Sequence, residues 1–444
     1  MSSISKRIRR HLTDQDSPHR RIATSFLWVS LFVFIGKLAG AAKEMTIAWR
    51  YGISPTVDAY VFIFNLINWP VSVFFSILTV VLVPLVAKVR GSNSASLPRF
   101  RGEILGLTLA VGIGLGVLAY FGFPLLLRTG WAGLKGLALQ QALMMAGPLS
   151  LLLPLGLTIS LFSAWMMACG RHRNTLLEAL PALAILVALL LPPCWVPEPL
   201  VWGSVAGFAL QLAGLGWPLH RVGDLQRPLF GFQSQAWRGF WGSIGIMAIG
   251  QTLMSFTGII DQFFAAHLES GSIATLSYAN RIMSLILGLG ATAISRSTLP
   301  IFSEVAAKND TNSICRLSMQ WGRWMFLLGL GGGAFVWILA PWIVKLLFER
   351  GAFTAANTSE VTTILRYFLL QMPFYFYGMV LVAALSSQKK YSALLVTGII
   401  GLCIKPLANL MLLKPLGVSG IALGMSLVYF STASYMTYIM RRLR

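Results

Sequence analysis

The run ILGLTLAVGIGLGVLAYFGFPLLL (residues 104–127) contains 24 consecutive residues without a charge. As an α-helix it would extend about 36 Å, enough to cross a bilayer core that is about 30 Å thick. Similar apolar runs recur along the chain, at residues 24–46, 58–86, 103–127, 138–168, 175–196, 199–219, 240–267, 272–299, 321–347, 357–386, 392–413 and 416–440. The sequence therefore predicts an all-α polytopic membrane protein with twelve transmembrane helices.

The composition sets the class of protein. Of the 444 residues, 56% are hydrophobic and 11% are charged, whereas soluble globular proteins carry about 25% charged residues. This balance excludes a soluble enzyme, and the long apolar runs argue against an outer-membrane barrel, whose strands alternate over about 10 residues. The histidines show no metal-binding spacing, and the cysteines are scattered at Cys169, Cys194, Cys315 and Cys403. We therefore predict no metal site and no cofactor.

The basic residues orient the helices. The chain has 35 Lys and Arg against 14 Asp and Glu, a net charge of +21. Counted loop by loop, 23 basic residues fall on the side that holds the N-terminus and 6 on the other side. Because cytoplasmic loops collect Lys and Arg, we expect both termini in the cytoplasm, with residues 1–22 as a basic cytoplasmic segment. The positive charge therefore requires no nucleic-acid partner.

The two halves of the chain resemble each other. Pro154 precedes Arg171 by the same number of residues as Pro373 precedes Lys390, so one offset along the chain relates both pairs. Six spans per half give both halves the same orientation in the membrane. This pattern is typical of alternating-access transporters with parallel repeats.

The repeat divides the chain into two predicted domains. Residues 23–225 would form an N-lobe of spans 1–6, and residues 226–444 would form a C-lobe of spans 7–12. We expect the lobes to be related by a pseudo-twofold axis along the membrane normal, with a central cavity between them.

Six basic residues lie in or at the edge of spans, where each central charge costs about 2.5–3.5 kcal/mol on insertion scales. They are Lys37, Lys43, Arg281, Arg296, Arg366 and Lys405. Lys37, Arg281, Arg366 and Lys405 each lie nine residues from a predicted external end. That is a depth of about 14 Å, near the bilayer centre. If they share the central cavity, its field attracts an anion, and arginine suits a diphosphate because it donates paired hydrogen bonds.

Acidic residues at similar places leave an alternative open, in which each cation is neutralised inside its own lobe. Asp261 lies at a depth compatible with Lys405, and Glu44 shares a helix face with Lys37. Asp58 is a third acid, at the beginning of span 2.

Two arginines have further alternatives. Arg366 can extend its long side chain to the membrane interface instead of binding a ligand. Arg296 lies near the cytoplasmic end of span 8, which favours an interface anchor or a residue of the cytoplasmic gate.

Four stretches resemble the MviN/MurJ family of lipid flippases, which belongs to a superfamily with the MATE exporters. They are GKLAGAAKEMTIAWRYGISPTVDAYVFIFNLIN (36–68), LSYANRIMSLILGLGATAISRSTLP (276–300), IVKLLFERGAFTAANT (343–358) and PLGVSGIALGMSL (415–427). In this resemblance Lys37 and the Lys43–Glu44 pair stand at the basic positions of span 1. Asp58 matches the family's Asp-Ala-Phe, and Arg281 matches its span 8 arginine.

The resemblance implies a flippase, not an enzyme, in the bacterial inner membrane. It would move an undecaprenyl-diphosphate-linked saccharide to the external leaflet, with Lys37, Lys43, Arg281 and Arg366 as diphosphate ligands. The implied partners are membrane lipids and a polysaccharide polymerase or glycosyltransferases, and we expect a monomer.

Departures from the family pattern favour a specialised paralogue. Lipid II flippases of this family usually have fourteen spans, whereas this chain has twelve predicted spans. Val71 and Ser72 stand where the family has basic residues, and Asn280 replaces the acid before Arg281. We therefore expect an exopolysaccharide repeat unit as the first candidate substrate and lipid II as the second.

Span 11 suggests a difference in ion use. Some members bind sodium with an acid on span 7 and polar residues four apart on span 11. Asp261 matches the acid, and Lys405 and Asn409 have the span 11 spacing. We hypothesise that the Lys405 ammonium occupies the position of the sodium ion.

Three other classes remain as alternatives. A MATE-like drug or cation exporter shares the twelve-span architecture, but it should place more acids than bases at depth, and here six bases face three acids. A membrane glycosyltransferase or polymerase would need a catalytic constellation and large external loops. A non-transporting scaffold would require every buried cation to be paired.

Overall fold

The structure is a computed structural model that describes residues 18–92, 97–169, 177–192, 194–234, 236–307, 311–388 and 390–442. In these ranges the chain forms fourteen helices and no strand. They are α1 (Pro18–Tyr51), α2 (Pro55–Ser92), α3 (Leu97–Arg128), α4 (Gly136–Ser150), α5 (Leu152–Ala168), α6 (Leu180–Leu190), α7 (Pro199–Arg221), α8 (Ala236–Ala266), α9 (Ser272–Ala307), α10 (Thr311–Phe348), α11 (Ala355–Leu369), α12 (Met372–Ser387), α13 (Tyr391–Leu416) and α14 (Val418–Arg442). Residues 1–17 of the predicted basic segment lie outside the described residues.

The helices coincide with the predicted spans. Each of the twelve apolar runs overlaps one helix or, for spans 4 and 10, a consecutive pair of helices. Judged by length and composition, six described helices can cross a membrane, and two bent pairs raise that number to eight. The prediction of an all-α polytopic membrane protein is therefore confirmed.

Spans 4 and 10 are interrupted in the same way. The pair α4–α5 begins at Gly136 and ends at Ala168, and the pair α11–α12 begins at Ala355 and ends at Ser387. Both ends are related by the same offset that relates Pro154 to Pro373. The second pair bends by 40°. The two prolines lie in the first turn of the second helix of each pair, where proline's missing N–H has no partner to lose.

The chain packs as two compact units. Unit 1 comprises residues 1–44, 74–116 and 151–242, and unit 2 comprises residues 45–73, 117–150 and 243–444. The two lobes, with their boundary at residue 225, stay a prediction.

In unit 1, the segment that follows α7 is held against the start of α3. The buried carboxylate of Glu103 accepts hydrogen bonds from the backbone N–H groups of Gln233 and Ser234, both at 3.1 Å, and from Trp237 Nε1 at 2.6 Å. Arg101 forms an ion pair with Asp224 in the same region. The carboxylate of Glu103, at the start of an apolar span, thus has its hydrogen-bonding capacity filled in part by the backbone N–H groups of the segment that it holds in place.

One helix contact is repeated in each unit. In unit 1 a Cβ on Gly112 would lie 2.9 Å from the Cα of Pro154. In unit 2 a Cβ on Gly329 would lie 2.7 Å from the Cα of Pro373. Each glycine therefore lets the backbone of an interrupted span approach its neighbour closely, as small residues do in membrane helix packing.

Candidate functional site

Unit 2 contains a cavity of about 390 Å³ between α2, α8, α9, α11, α12 and α14. Its volume is in the range of small-molecule sites. Among the described residues that line it, Arg281 is the cationic one and Asp261 the acidic one. Its neutral polar side chains are Asn65, Thr257, Gln262, Ser277, Asn280, Ser284, Gln371, Tyr375 and Tyr429.

Arg281 is positioned by the start of α9. The helix begins at Ser272, so Arg281 lies nine residues, or about 14 Å, along it. Its side chain is exposed at the cavity. An exposed guanidinium in a cavity of a membrane helix bundle can bind an anionic group with paired hydrogen bonds.

Asp58 fixes the start of α9. Its buried carboxylate accepts hydrogen bonds from the backbone N–H groups of Gly271 and Ala274, the latter at 2.7 Å. Tyr278 reinforces the joint, because its hydroxyl donates to the carbonyl of Gly52 at 3.1 Å. Asp58 therefore satisfies unpaired donors at a helix N-terminus and orients the helix that carries Arg281.

Asp261, Lys405 and Asn409 form one buried network. The Lys405 ammonium lies 2.8 Å from Asp261 Oδ1 and donates to the carbonyl of Ile421 at 2.9 Å. Asn409 Nδ2 donates to the same Asp261 oxygen at 3.1 Å. Lys405 and Asn409 are fully buried. The negative charge of Asp261 is therefore compensated from within the protein by Lys405.

Arg366 makes a different set of contacts. Its Nε donates to the backbone carbonyl of Trp337 at 3.4 Å, and its guanidinium lies 5.7 Å from the centroid of the Trp337 ring. It is absent from the residues that line the 390 Å³ cavity.

The remaining predicted residues belong elsewhere. Lys37 lies on α1 in unit 1 with an exposed side chain. Lys43 and Glu44, also in unit 1, form an ion pair at 2.9 Å whose side chains are only 12% and 14% exposed. Arg296 lies in α9, but its side chain is outside the described part of the structure.

The sequence of most of the chain decides its family. The sequence model of the family described as lipid II flippase MurJ matches residues 47–444. The chain belongs to the MurJ family. The resemblance found in its motifs is thereby confirmed, and since MurJ proteins are flippases, the chain is a transporter rather than an enzyme.

Curated relatives agree with MurJ membership. The chain is 23% identical over 421 residues to the probable lipid II flippase MurJ of Buchnera aphidicola, which covers 91% of this chain and 81% of the relative. It is 32% identical over 199 residues to that of Helicobacter pylori, which covers 43% of this chain and only 41% of the relative.

Solved transporter structures share the fold of this MurJ member. A lipid II flippase MurJ in an inward closed conformation matches with a TM-score of 0.81, at 17% identity, and covers 94% of this chain and 87% of that chain. An inward-facing multidrug MATE transporter matches with a TM-score of 0.75, at 15% identity, and covers 92% and 94%. At these identities the likeness shows the fold alone.

Two glutamines of the cavity, Gln371 and Gln262, were not predicted from the sequence. Gln371 is only 2% exposed and lies at the break between α11 and α12. Gln262 has a buried Oε1 without a hydrogen-bond partner in the described structure. The sequence feature that could have identified them is an amide side chain inside an apolar span. Burying an unpaired amide is costly, so such a residue is expected to have a partner or a ligand.

Proposed function

We propose that this MurJ family member is a flippase that moves an undecaprenyl-diphosphate-linked oligosaccharide from the cytoplasmic to the external leaflet by alternating access. The observation that carries the proposal is the cavity of unit 2, in which Arg281 shares the lining with neutral amides and hydroxyls and with Asp261, whose carboxylate is paired with Lys405. A diphosphate needs a cation, and sugar hydroxyls need neutral donors and acceptors.

The charge balance favours an anionic substrate over a cation. Asp261 is compensated by Lys405, so the acid that could attract a cationic drug is already paired at 2.8 Å. Arg281 is then the cation among the described residues that line the cavity. A MATE-like exporter of cations, which the fold permits, is correspondingly less well supported.

The contacts of the other three predicted diphosphate ligands indicate which of them is available to bind phosphate. Lys37 is exposed on α1, which is compatible with ligand contact. Lys43 is paired with Glu44, and Arg366 contacts Trp337, so each would have to exchange an existing partner for phosphate. We therefore place Arg281 and Lys37 first among the four.

The two candidate substrates differ in the saccharide that the lipid carries. Asn280, Val71 and Ser72 depart from the pattern expected of lipid II flippases, which favours an exopolysaccharide repeat unit as the carried group. The names of the curated relatives favour lipid II as the second candidate. We further propose a bacterial inner-membrane location with both termini cytoplasmic, a monomer, and functional partners among polysaccharide polymerases or glycosyltransferases.

Native mass spectrometry tests the proposal. The purified full chain is offered a mixture of lipid II, an undecaprenyl-diphosphate oligosaccharide and a lipophilic cation. We expect a diphosphate lipid to be retained, and Arg281→Gln to weaken retention by about 10- to 100-fold, the range for hydrogen bonds to a charged group. Arg128→Gln, which removes an exposed arginine outside the cavity, is the matched control. Retention of the cation alone, or equal weakening by both variants, would contradict the proposal.

A further inference from the structure

Three arginines gather at one end of unit 2, apart from the cavity that holds Arg281. Arg316 and Arg323 lie on α10 and Arg441 lies in the last turn of α14, and all three line a pocket of about 810 Å³. None of them takes part in an ion pair within the described ranges of the chain; Arg316 donates to Ser313 Oγ at 3.3 Å. The arginines lie on the side predicted to be cytoplasmic.

An apolar groove continues from this arginine cluster. The groove has a volume of about 650 Å³ and shares Arg323 and Arg441 with the arginine pocket. Its remaining lining comes from α10, α12 and α14, namely Phe326, Leu327, Phe374, Tyr377, Phe430, Ala433, Ser434, Thr437 and Tyr438.

On both α10 and α14, the face that lines the groove changes from arginine to apolar residues with distance from the arginine cluster. On α10, Arg316, Arg323 and Leu327 are seven and four residues apart, which places them on one face. On α14, Arg441 and Phe430 are eleven residues apart on one face, with hydroxyl side chains between them. Eleven residues of helix extend about 16 Å, which is close to half of a bilayer core about 30 Å thick.

Aromatic rings line the groove, and two of its apolar side chains remain half exposed. Phe374 packs edge-on against Phe326 at 5.6 Å and against Phe430 at 5.3 Å, which forms an aromatic floor. The Tyr377 hydroxyl hydrogen-bonds Thr437 Oγ1 at 2.8 Å, and Thr437 lies between Phe430 and Arg441 along α14. Leu327 and Phe430 remain 54% and 51% exposed.

We infer that this groove binds an anionic phospholipid of the cytoplasmic leaflet. The arginine cluster would hold the phosphate, the hydroxyls of Ser434 and Tyr438 would face the glycerol and ester region, and the aromatic floor would hold an acyl chain. Basic pockets between membrane helices on the cytoplasmic side suit such head groups. The site is separate from the transported substrate, because none of its lining residues lines the 390 Å³ cavity.

Lipid retention by the purified full chain tests this inference. Native mass spectrometry compares phosphatidylglycerol with phosphatidylethanolamine of the same acyl chains, and with inorganic phosphate as a competitor. We expect phosphatidylglycerol to be retained preferentially. Arg323→Gln with Arg441→Gln should weaken its retention roughly 25-fold, at about fivefold per arginine. Equal retention of both lipids, or displacement of phosphatidylglycerol by inorganic phosphate, would overturn the site.

Matched variants distinguish a loss of lipid binding at this site from an effect of the protein's total charge or of misfolding. Arg128→Gln with Arg350→Gln removes the same two charges at exposed arginines elsewhere, and phosphatidylglycerol retention should stay unchanged. Phe430→Ala opens the aromatic floor and should weaken the long-chain lipid more than a dihexanoyl analogue. A comparable loss in the control pair would refute the inference, as would an unaltered affinity in both test variants at an unchanged melting temperature.

Discussion

The Lys405 ammonium lies 2.8 Å from the Asp261 carboxylate in the interior of unit 2. Lys405 has no exposed surface, and 13% of the Asp261 side chain remains exposed, at the 390 Å³ cavity. Gly424 makes room for the pair, because a Cβ there would lie 2.8 Å from Asn409 Oδ1 and 3.5 Å from Lys405 Nζ. The protein thus places a fixed cation directly behind the wall of its candidate site.

Removing one member of this pair should destabilise the fold more than removing both. Breaking a buried ion pair leaves an uncompensated charge, which costs about 3–5 kcal/mol, whereas replacing both members by neutral groups can be nearly neutral. We expect Asp261→Asn and Lys405→Met each to lower the free energy of unfolding strongly, and the double variant to recover much of the loss. Thermal unfolding of all four proteins in one detergent measures the coupling. Strictly additive effects would show that the pair contributes no coupling.

Lys405→Asn should make transport depend on a small cation. The substitution leaves the Asp261 carboxylate, the Ile421 carbonyl and the amide oxygen of the new asparagine around the vacated ammonium position, and a turn of the Asn409 amide, whose Nδ2 now faces Asp261, would add a further oxygen. Hard cations prefer such ligands. We expect flipping by the wild type to be independent of sodium and flipping by the variant to require it. Proteoliposomes with sodium or choline on both sides provide the comparison, and Lys414→Asn, a change outside the network, is the control. A sodium requirement in the wild type would contradict the hypothesis that the Lys405 ammonium occupies the position of the sodium ion.

The sequence predicted the helices well because a bilayer imposes one requirement on every span. An apolar run of about 20 residues has to satisfy its backbone internally, so hydropathy alone locates the helices. The proline pair that indicated the repeat also lies where the structure interrupts spans 4 and 10. The breaks themselves were not predicted, since proline is tolerated in many membrane helices.

The site was only partly readable from the sequence. The depth of Arg281 followed from its position in a span, because helix rise is fixed. The sequence did not show that Arg281 lines the cavity whereas Arg366 contacts Trp337. Both arginines lie nine residues from a predicted end of a span, so their depths are the same. The amides Gln262 and Gln371 were also missed, because only packing shows which polar groups of a span face a common space.

Gly271→Ala should loosen the support of Arg281. Gly271 has φ +94°, and a Cβ there would lie 2.5 Å from Ile53 Cγ2, so alanine meets both backbone strain and crowding. We expect a loss of about 1–3 kcal/mol of stability from each source. Retention of the diphosphate lipid should fall as well, because the joint with Asp58 positions α9. Gly136→Ala is the control, since its φ is +54° with open space around it, so it should show the strain cost only. Identical melting temperatures for the two variants would exclude the crowding at Ile53.

Gly106→Ala should release the segment that follows α7. A Cβ on Gly106 would overlap the carbonyl oxygen of Leu229, so the backbone of that segment has to move. Overpacking of this kind costs about 1–3 kcal/mol and would pull the segment away from the Glu103 carboxylate. We expect faster limited proteolysis between residues 222 and 235 and a lower melting temperature. Gly114→Ala, in the same helix with nothing nearby, should instead leave cleavage unchanged and stabilise the helix by up to about 1 kcal/mol. If both variants were cleaved at the wild-type rate, the contact of Gly106 with Leu229 would not hold the segment in place.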